Sequence, residues 1–236
     1  MDRSDLVVLT LRSGVDHAVG DGYAAGMENL AYVVGDRATG EALLVDPSWD
    51  PAGVAAAAGR AGLRVTGVIA THDHPDHVGG SLFGLPVPGV ADLPGPLPVH
   101  VHRAEADRLA RRTGLPAAAI VPHDHEDEFR LGTVRIRVLH TPGHSPGGAC
   151  WLVDEAHLFT GDTLFVDGCG RVDLPGSEPD ALFRSLHDVL LPLPDGVVVH
   201  PGHDYGGREA TLGDLKRSNP YLAAPDLATW RALMGT

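Results

Sequence analysis

A four-layer α/β sandwich, two sheets packed face to face with helices outside, is the fold class that this sequence of 236 residues fits. Apolar runs of strand length recur along it, helix-start signals fall between some of them, and no linker or low-complexity tract divides it. Periodicity alone does not fix how the sheets stack. One domain over residues 1–236 is expected at this length.

The strand-length runs cover residues 6–11, 30–34, 42–45, 65–70, 134–139, 149–153, 157–159 and 197–199, several of them rich in Val and bounded by Gly, Asp or Pro. Asp50 and Pro51 read as N-cap and first residue of an Ala-rich helix ending near Gly62. Ser177-Glu178-Pro179-Asp180 opens a second helix running to about Leu191, and two more are expected at 103–112 and 208–217. Residues 85–98 hold five prolines, so regular helix and central strand are excluded there. The segment is expected as a surface excursion able to wall a substrate pocket.

Hydrophobic content of 43% with 21% charged residues is ordinary for a globular chain. A formal charge of −13 disfavours nucleic acid and anionic membrane as partners. No apolar run is long enough to span a bilayer, and the first residues lack the basic-then-apolar order of a signal peptide, so a cytoplasmic location is expected. Cys150 and Cys169 are too few for a disulfide framework and are expected to be reduced.

The chemistry is concentrated in four places. The run 65–70 leads into Thr71-His72-Asp73-His74-Pro75-Asp76-His77, three imidazoles and a carboxylate beside them in one strand-to-helix turn. With 14 His in the chain, such an arrangement is expected by accident only about 0.004 times. Neutral imidazoles and hard carboxylate oxygens form a donor set suited to Zn, Fe or Mn. Pro-Gly-His144 and Pro-Gly-His203 each follow a strand run and present one His from a turn shaped by Pro and Gly, and Gly-Asp162 follows another. Taken singly, each of these last three suits an ordinary loop His or a helix cap. Together they place metal-type donors on loops at strand ends, where active sites are assembled.

The order HxHxDH, PGH, GD, PGH resembles the ligand signature of the metallo-β-lactamase superfamily, and the likeness runs from about Asn29 to Tyr221. It implies the αββα sandwich of that family. It also implies one metal position at His72, His74 and His144, a second at Asp76, His77 and His203, and Asp162 bridging them. The flanking Asp162-Thr-Leu-Phe-Val-Asp-Gly-Cys-Gly-Arg171 and Pro201-Gly-His-Asp-Tyr205 are similar to the glyoxalase II (hydroxyacylglutathione hydrolase) group and to the persulfide dioxygenases. Zinc β-lactamases of the commonest kind use a Cys in the second metal position, a donor this chain does not offer there, and flavodiiron relatives carry Glu at His74, so those chemistries are disfavoured.

The resemblance implies hydrolysis of a thioester. Two divalent cations, Zn²⁺ first among candidates, would activate a water and polarise the carbonyl, with Asp76 orienting the water and relaying its proton. The alternative is a persulfide dioxygenase holding one Fe²⁺ at His72, His144 and Asp162; lactone or other ester cleavage is a further alternative. Arg171 is a candidate to bind a substrate carboxylate, and Tyr205 to bond a metal ligand. Asp46, at the end of the run 42–45, suits either orienting a ligand His or capping the next turn. Only 33 residues follow His203, too few for the full C-terminal helical extension of glyoxalase II. The expected partner is a small-molecule thiol conjugate, and a homodimer is compatible with the sequence.

Overall fold

The computed structural model of the protein describes residues 5–235. One sheet begins with β1 (Leu6–Arg12), β2 (Leu30–Asp36), β3 (Glu41–Val45) and β4 (Arg64–Ile69). A separate two-stranded hairpin follows, β5 (Gly80–Leu82) with β6 (Leu85–Val87). β7 (Val99–His102) and β8 (Ile120–His123) then complete the first sheet, in the order β1-β2-β3-β4-β7-β8. The second sheet runs β14-β13-β12-β11-β10-β9, from β9 (Glu128–Leu131), β10 (Val134–His140), β11 (Ala149–Val153), β12 (His157–Gly161), β13 (Val198–Pro201) and β14 (Ala210–Thr211). The helices are α1 (Gly22–Met27), α2 (Pro51–Arg60), α3 (Pro75–Val78), α4 (Arg103–Thr113), α5 (Pro179–Arg184), α6 (Leu212–Ser218) and α7 (Leu227–Met234).

Strand alternation builds the layers, because successive side chains point to opposite faces. Leu30, Tyr32 and Val34 of β2 and Leu43 and Val45 of β3 pack inward against Ile136, Val138, Trp151 and Phe159 of the second sheet. Their neighbours Ala31, Val33, Ala42 and Leu44 face outward, onto Val54 and Ala58 of α2 and Leu109 of α4. On the other side Cys150, Leu152 and Leu158 face outward onto Leu182 of α5, Leu212 and Leu215 of α6, and Trp230 of α7. The expected four-layer order is therefore observed. The Tyr32 hydroxyl donates to the Pro201 carbonyl at 2.6 Å and ties the two sheets together beside the site.

Capping explains the main helices. Asp50 accepts the Gly53 N–H at 2.8 Å with Pro51 in the first turn, and α2 then buries Val54, Ala57 and Ala58 at helical spacing. Two expected boundaries move. The final helical pattern at 208–217 starts only at Leu212, because Ala210 and Thr211 pair with β13 and Thr211 caps the helix by accepting the Asp214 N–H. The helix expected from Ser177 begins at Pro179 and passes into a π-helical stretch, Ser185–Leu190. The proline-rich excursion forms β6 and a short 3₁₀ turn, Val90–Asp92, outside both large sheets. Among the described residues no helix is long and apolar enough to cross a membrane.

Several histidines belong to the packing between layers. His200 stacks on Phe159 with ring centroids 4.8 Å apart, and His100 stacks on Phe129 at 4.3 Å. Burial and the neighbouring His157 push His200 down to about 3; burial and His123 push His100 down to about 4. Both stay neutral in the folded state where an unfolded His takes up a proton, so their contribution to stability is full above pH ~6.5 and is lost as pH falls toward 4. Thermal midpoints measured from pH 7.5 to 4 should decline through that window, and His200→Gln should decline less steeply.

Candidate metal centre

The seven residues singled out in the sequence converge on one rim of the sandwich. His72 and His74 lie on the turn after β4, and Asp76 and His77 on α3, which Pro75 opens. His144 sits on the turn between β10 and β11, Asp162 directly after β12, and His203 after β13. β10, β12 and β13 run in the same direction, since β10 and β12 both pair antiparallel with β11 and β12 pairs parallel with β13. Their ends therefore meet on one edge, opposite the end of β4.

Two donor groups result, each with ligand atoms within 4.8 Å of one another: His72, His74 and His144, and Asp76, His77 and His203. Asp162 spans them, with Oδ2 3.5 Å from His144 Nε2, and Oδ1 3.2 Å from His77 Nε2 and 3.4 Å from His203 Nε2. Glycine permits this approach at 202, where a Cβ would stand 2.4 Å from Asp162 Oδ1 and 2.8 Å from the His77 ring. At Gly143, with φ +137°, a Cβ would strike the backbone of Leu182.

A layer of hydrogen bonds behind the donors fixes which ring nitrogen faces inward. His77 Nδ1 donates to Asp46 Oδ2 at 2.9 Å, His144 Nδ1 to the Arg171 carbonyl at 2.8 Å, and His203 Nδ1 to the Met27 carbonyl at 2.6 Å. The Thr71 hydroxyl donates to Asp46 Oδ2 at 2.6 Å, so His72 Nδ1 donates to Thr71 Oγ1 at 3.0 Å. In all four rings Nε2 is therefore the nitrogen that faces into the site. His74 presents Nδ1, 2.9 Å from His144 Nε2. His72 Nε2 and Asp162 Oδ1 are buried without a hydrogen-bond partner. Inward ring nitrogens, outward N–H bonds and orphaned buried atoms together fit divalent cations.

Electrostatics points the same way. Burial opposes the charged form of every group here. It is overcome at Asp162 by His203 and His77, which hold its carboxyl well below the usual range, and at Asp76 by His77 and His203. The carboxylates reciprocate: against the cost of burial, Asp162 raises His203 to about 10. Burial and the nearby His144 lower His74 to about 4. The carboxylates thus call for positive charge on the His77–His203 side, and His74 keeps a neutral, donating imidazole.

Asp46 resolves its two sequence readings at once. It accepts from the Thr71 N–H and hydroxyl and also from His77, so it shapes the turn and orients a donor. Sequence reasoning missed Asn29 and Trp49. Asn29 Nδ2 donates to Asp76 Oδ2 at 3.1 Å, and the Trp49 indole N–H donates to Asn29 Oδ1 at 2.9 Å. The one available signal was an Asn directly before an apolar run. Asp73, inside the HxHxDH turn, faces away from the donors and accepts from Arg108 and Arg112. Beside it Glu105, raised by burial and by Asp73 to about 7, accepts the Gly147 N–H and braces the His144 loop.

Arg171 is exposed and bound to Asp173 through two bonds of 2.6 Å, and its backbone carbonyl accepts from His144. The Tyr205 ring stacks on His203 at 4.8 Å, and its hydroxyl donates to the same Met27 carbonyl at 3.4 Å. Asp46→Asn should weaken cation affinity by roughly 10–100-fold, as removal of such supporting partners does. Asp162→Ala should abolish stoichiometric metal binding; chelator competition measures the first effect and metal analysis the second.

Comparison with known proteins agrees with this geometry. Residues 26–203 match the sequence profile described as the metallo-beta-lactamase superfamily. A probable polyketide biosynthesis zinc-dependent hydrolase of Bacillus velezensis is 30% identical over 195 residues, covering 82% of this chain and 81% of that protein. The mitochondrial persulfide dioxygenase of Homo sapiens is 31% identical over 197 residues, covering 82% and 71%. A protein solved in a di-iron-bound form, TTHA1623, superposes with a TM-score of 0.62 at 36% identity, covering 83% of this chain and 96% of that one. By fold, by the order of its motifs and by this match over most of its length, the chain belongs to the metallo-β-lactamase superfamily.

Proposed function

We propose that this protein is a two-metal hydrolase that cleaves a thioester, with His72, His74 and His144 holding one ion, Asp76, His77 and His203 the second, and Asp162 between them. The observation that carries this reading is the completeness of the second donor group. Asp76, His77 and His203 converge within 4.8 Å, and each is held by its own partner: Asn29, Asp46 and the Met27 carbonyl. A single-ion oxygenase would call on only His72, His144 and Asp162, whereas two ions use all seven donors.

Bound cations would supply a water of lowered pKa and a polarised carbonyl. The remaining work falls to the chain. Asp76 and Asp162 keep 10% and 11% of their side-chain surface open, so both are reachable from the rim. Asn29 pins Asp76 Oδ2, which orients the carboxylate to take the proton of the attacking water. A thiolate leaves without protonation, so this bond class calls for no further acid at the site. The zinc-dependent hydrolase of Bacillus velezensis, similar over most of its length, supports hydrolysis and zinc.

Persulfide oxidation is the second reading, favoured by the similarity to the human persulfide dioxygenase. Oxygen uptake separates the two. Zinc-loaded protein should release thiol from acyl thioesters, with Asp76→Asn lowering kcat by roughly 10²–10⁴-fold, the usual worth of a positioned proton acceptor. Iron-loaded protein given a low-molecular-weight persulfide should show no rapid uptake; rapid uptake abolished by Asp162→Ala would replace the hydrolase reading with the dioxygenase one.

A further inference from the structure

Beside the metal centre lies a groove of about 420 Å³ between α1 and the β5–β6 hairpin. Its volume is in the range of small-molecule sites. Met27 and Trp49 form its floor, Leu82, Leu85 and Val87 one wall, and Tyr23 and Phe83 stand at its lip. Phe83 is 88% exposed and Tyr23 65%, and Leu85 adds a third exposed apolar side chain. Large apolar groups gathered around one concavity mark a binding surface.

The hairpin tip is built against its own backbone preference. Phe83 and Gly84 form the two-residue connection between β5 and β6, with φ of +52° and +82°. Both values are left-handed, as in a type I′ turn, whose first position favours Asn, Asp or Gly. A bulky aromatic there strains the backbone and leaves the ring in water. Neither the hairpin nor the core gains from it. Trp49 repeats the pattern with φ of +65°, its N–H anchored on the Pro88 carbonyl at 2.8 Å.

Two residues of the groove wall are hydrogen-bonded to the donor groups, which sets the groove against the metal centre. The Met27 carbonyl that helps define its floor accepts from His203, and the Trp49 indole reaches Asp76 through Asn29. Its lining is short of charge: among the described lining residues Asp21 is the one carboxylate, and its Oδ1 is engaged by the N–H groups of Tyr23 and Ala24. No cation lines it to receive a carboxylate or phosphate. On the opposite side of the hairpin Ser81 looks into a second hollow lined by Asp73 and the arginines 108, 111 and 112. The hairpin therefore separates an apolar subsite from a cationic one.

The geometry points to this groove as the acyl-chain subsite: it takes a neutral, apolar acyl group, with Phe83 and Tyr23 closing over the chain and Trp49 limiting its depth. This specificity rests on the hydrolase reading, and the groove itself can be tested apart from it. Titration calorimetry of the zinc-loaded protein with acetate, butyrate, hexanoate and octanoate should show affinity rising about fourfold per methylene until the groove is full, the worth of burying one CH₂. Phe83→Asp should flatten that slope and Phe83→Leu should restore it, with metal content unchanged in both and no loss of melting temperature in either, because the side chain is exposed and Asp suits the left-handed turn position. Equal affinity across the series, or an unaltered slope in Phe83→Asp, overturns the assignment.

Turnover of acetyl and octanoyl thioesters of one thiol then tells the two conclusions apart. Octanoyl preference supports both. Hydrolysis at rates independent of chain length keeps the hydrolase and overturns the groove; a steep carboxylate series with no thioester cleaved keeps the groove and overturns the hydrolase.

Discussion

Burying two carboxylates among five imidazoles is the constraint around which this rim is organised. Asp76, Asp162 and the five histidines of the two donor groups lie almost out of water, where an ionised carboxylate is costly unless hydrogen-bonded and paired. The fold meets that cost from behind. Asp46 accepts three hydrogen bonds, two from Thr71 and one from His77, while itself held at φ +48°. Backbone carbonyls of Arg171 and Met27 receive the outer N–H of His144 and His203. Each histidine bond turns the other ring nitrogen inward, and together they gather more donor atoms than the interior could satisfy by hydrogen bonding alone. His72 Nε2 and Asp162 Oδ1 remain without partners, and that residue of unmet demand makes the site a receptor for cations.

The donors were legible in the sequence because they are local. HxHxDH occupies one turn, and the Pro-Gly-His and Gly-Asp turns carry shapes that Gly and Pro impose without help from the rest of the chain. The strands β2, β3, β10 and β11 were legible for a similar reason, being rich in apolar residues and bounded by breakers, whereas the stacking of the sheets came with the family resemblance. What stayed hidden depends on contacts far apart along the chain. Asn29 matters because it meets Asp76, 47 residues on, and Asp46 has two readings until Thr71 and His77 are brought to it across 25 and 31 residues. β7, β8 and β9 are four residues each, contain His, Pro or Arg, and owe their strand state to pairing with neighbours. Composition cannot sort the histidines either: His100 and His200 are aromatic packing residues, and His72 and His203 are donors, on chemically identical side chains.

Core and rim answer to different demands. The three apolar layers leave little freedom, because any strand slipped by one residue would turn its inward set outward. The rim is assembled from connections, and connections tolerate insertion. The β5–β6 hairpin, belonging to neither large sheet, shows how this chain uses that tolerance: it raises an apolar wall on one side and borders arginines on the other while the sheets beneath remain undisturbed.

Each donor group takes members from both sheets. His72 and His74 come from the first and His144 from the second; Asp76 and His77 come from the first and His203 from the second. An ion held there is therefore a bolt between layers as well as a reagent. Its binding free energy counts toward keeping the sheets together, since the unfolded chain has no equivalent site. At a free concentration one hundred times its dissociation constant, one such ion adds about 2.7 kcal/mol to the folded state. The mechanical integrity of the sandwich at this rim thereby becomes a function of cation supply in its surroundings, and starvation for metal would be felt as loosening of the architecture before it was felt as lost chemistry.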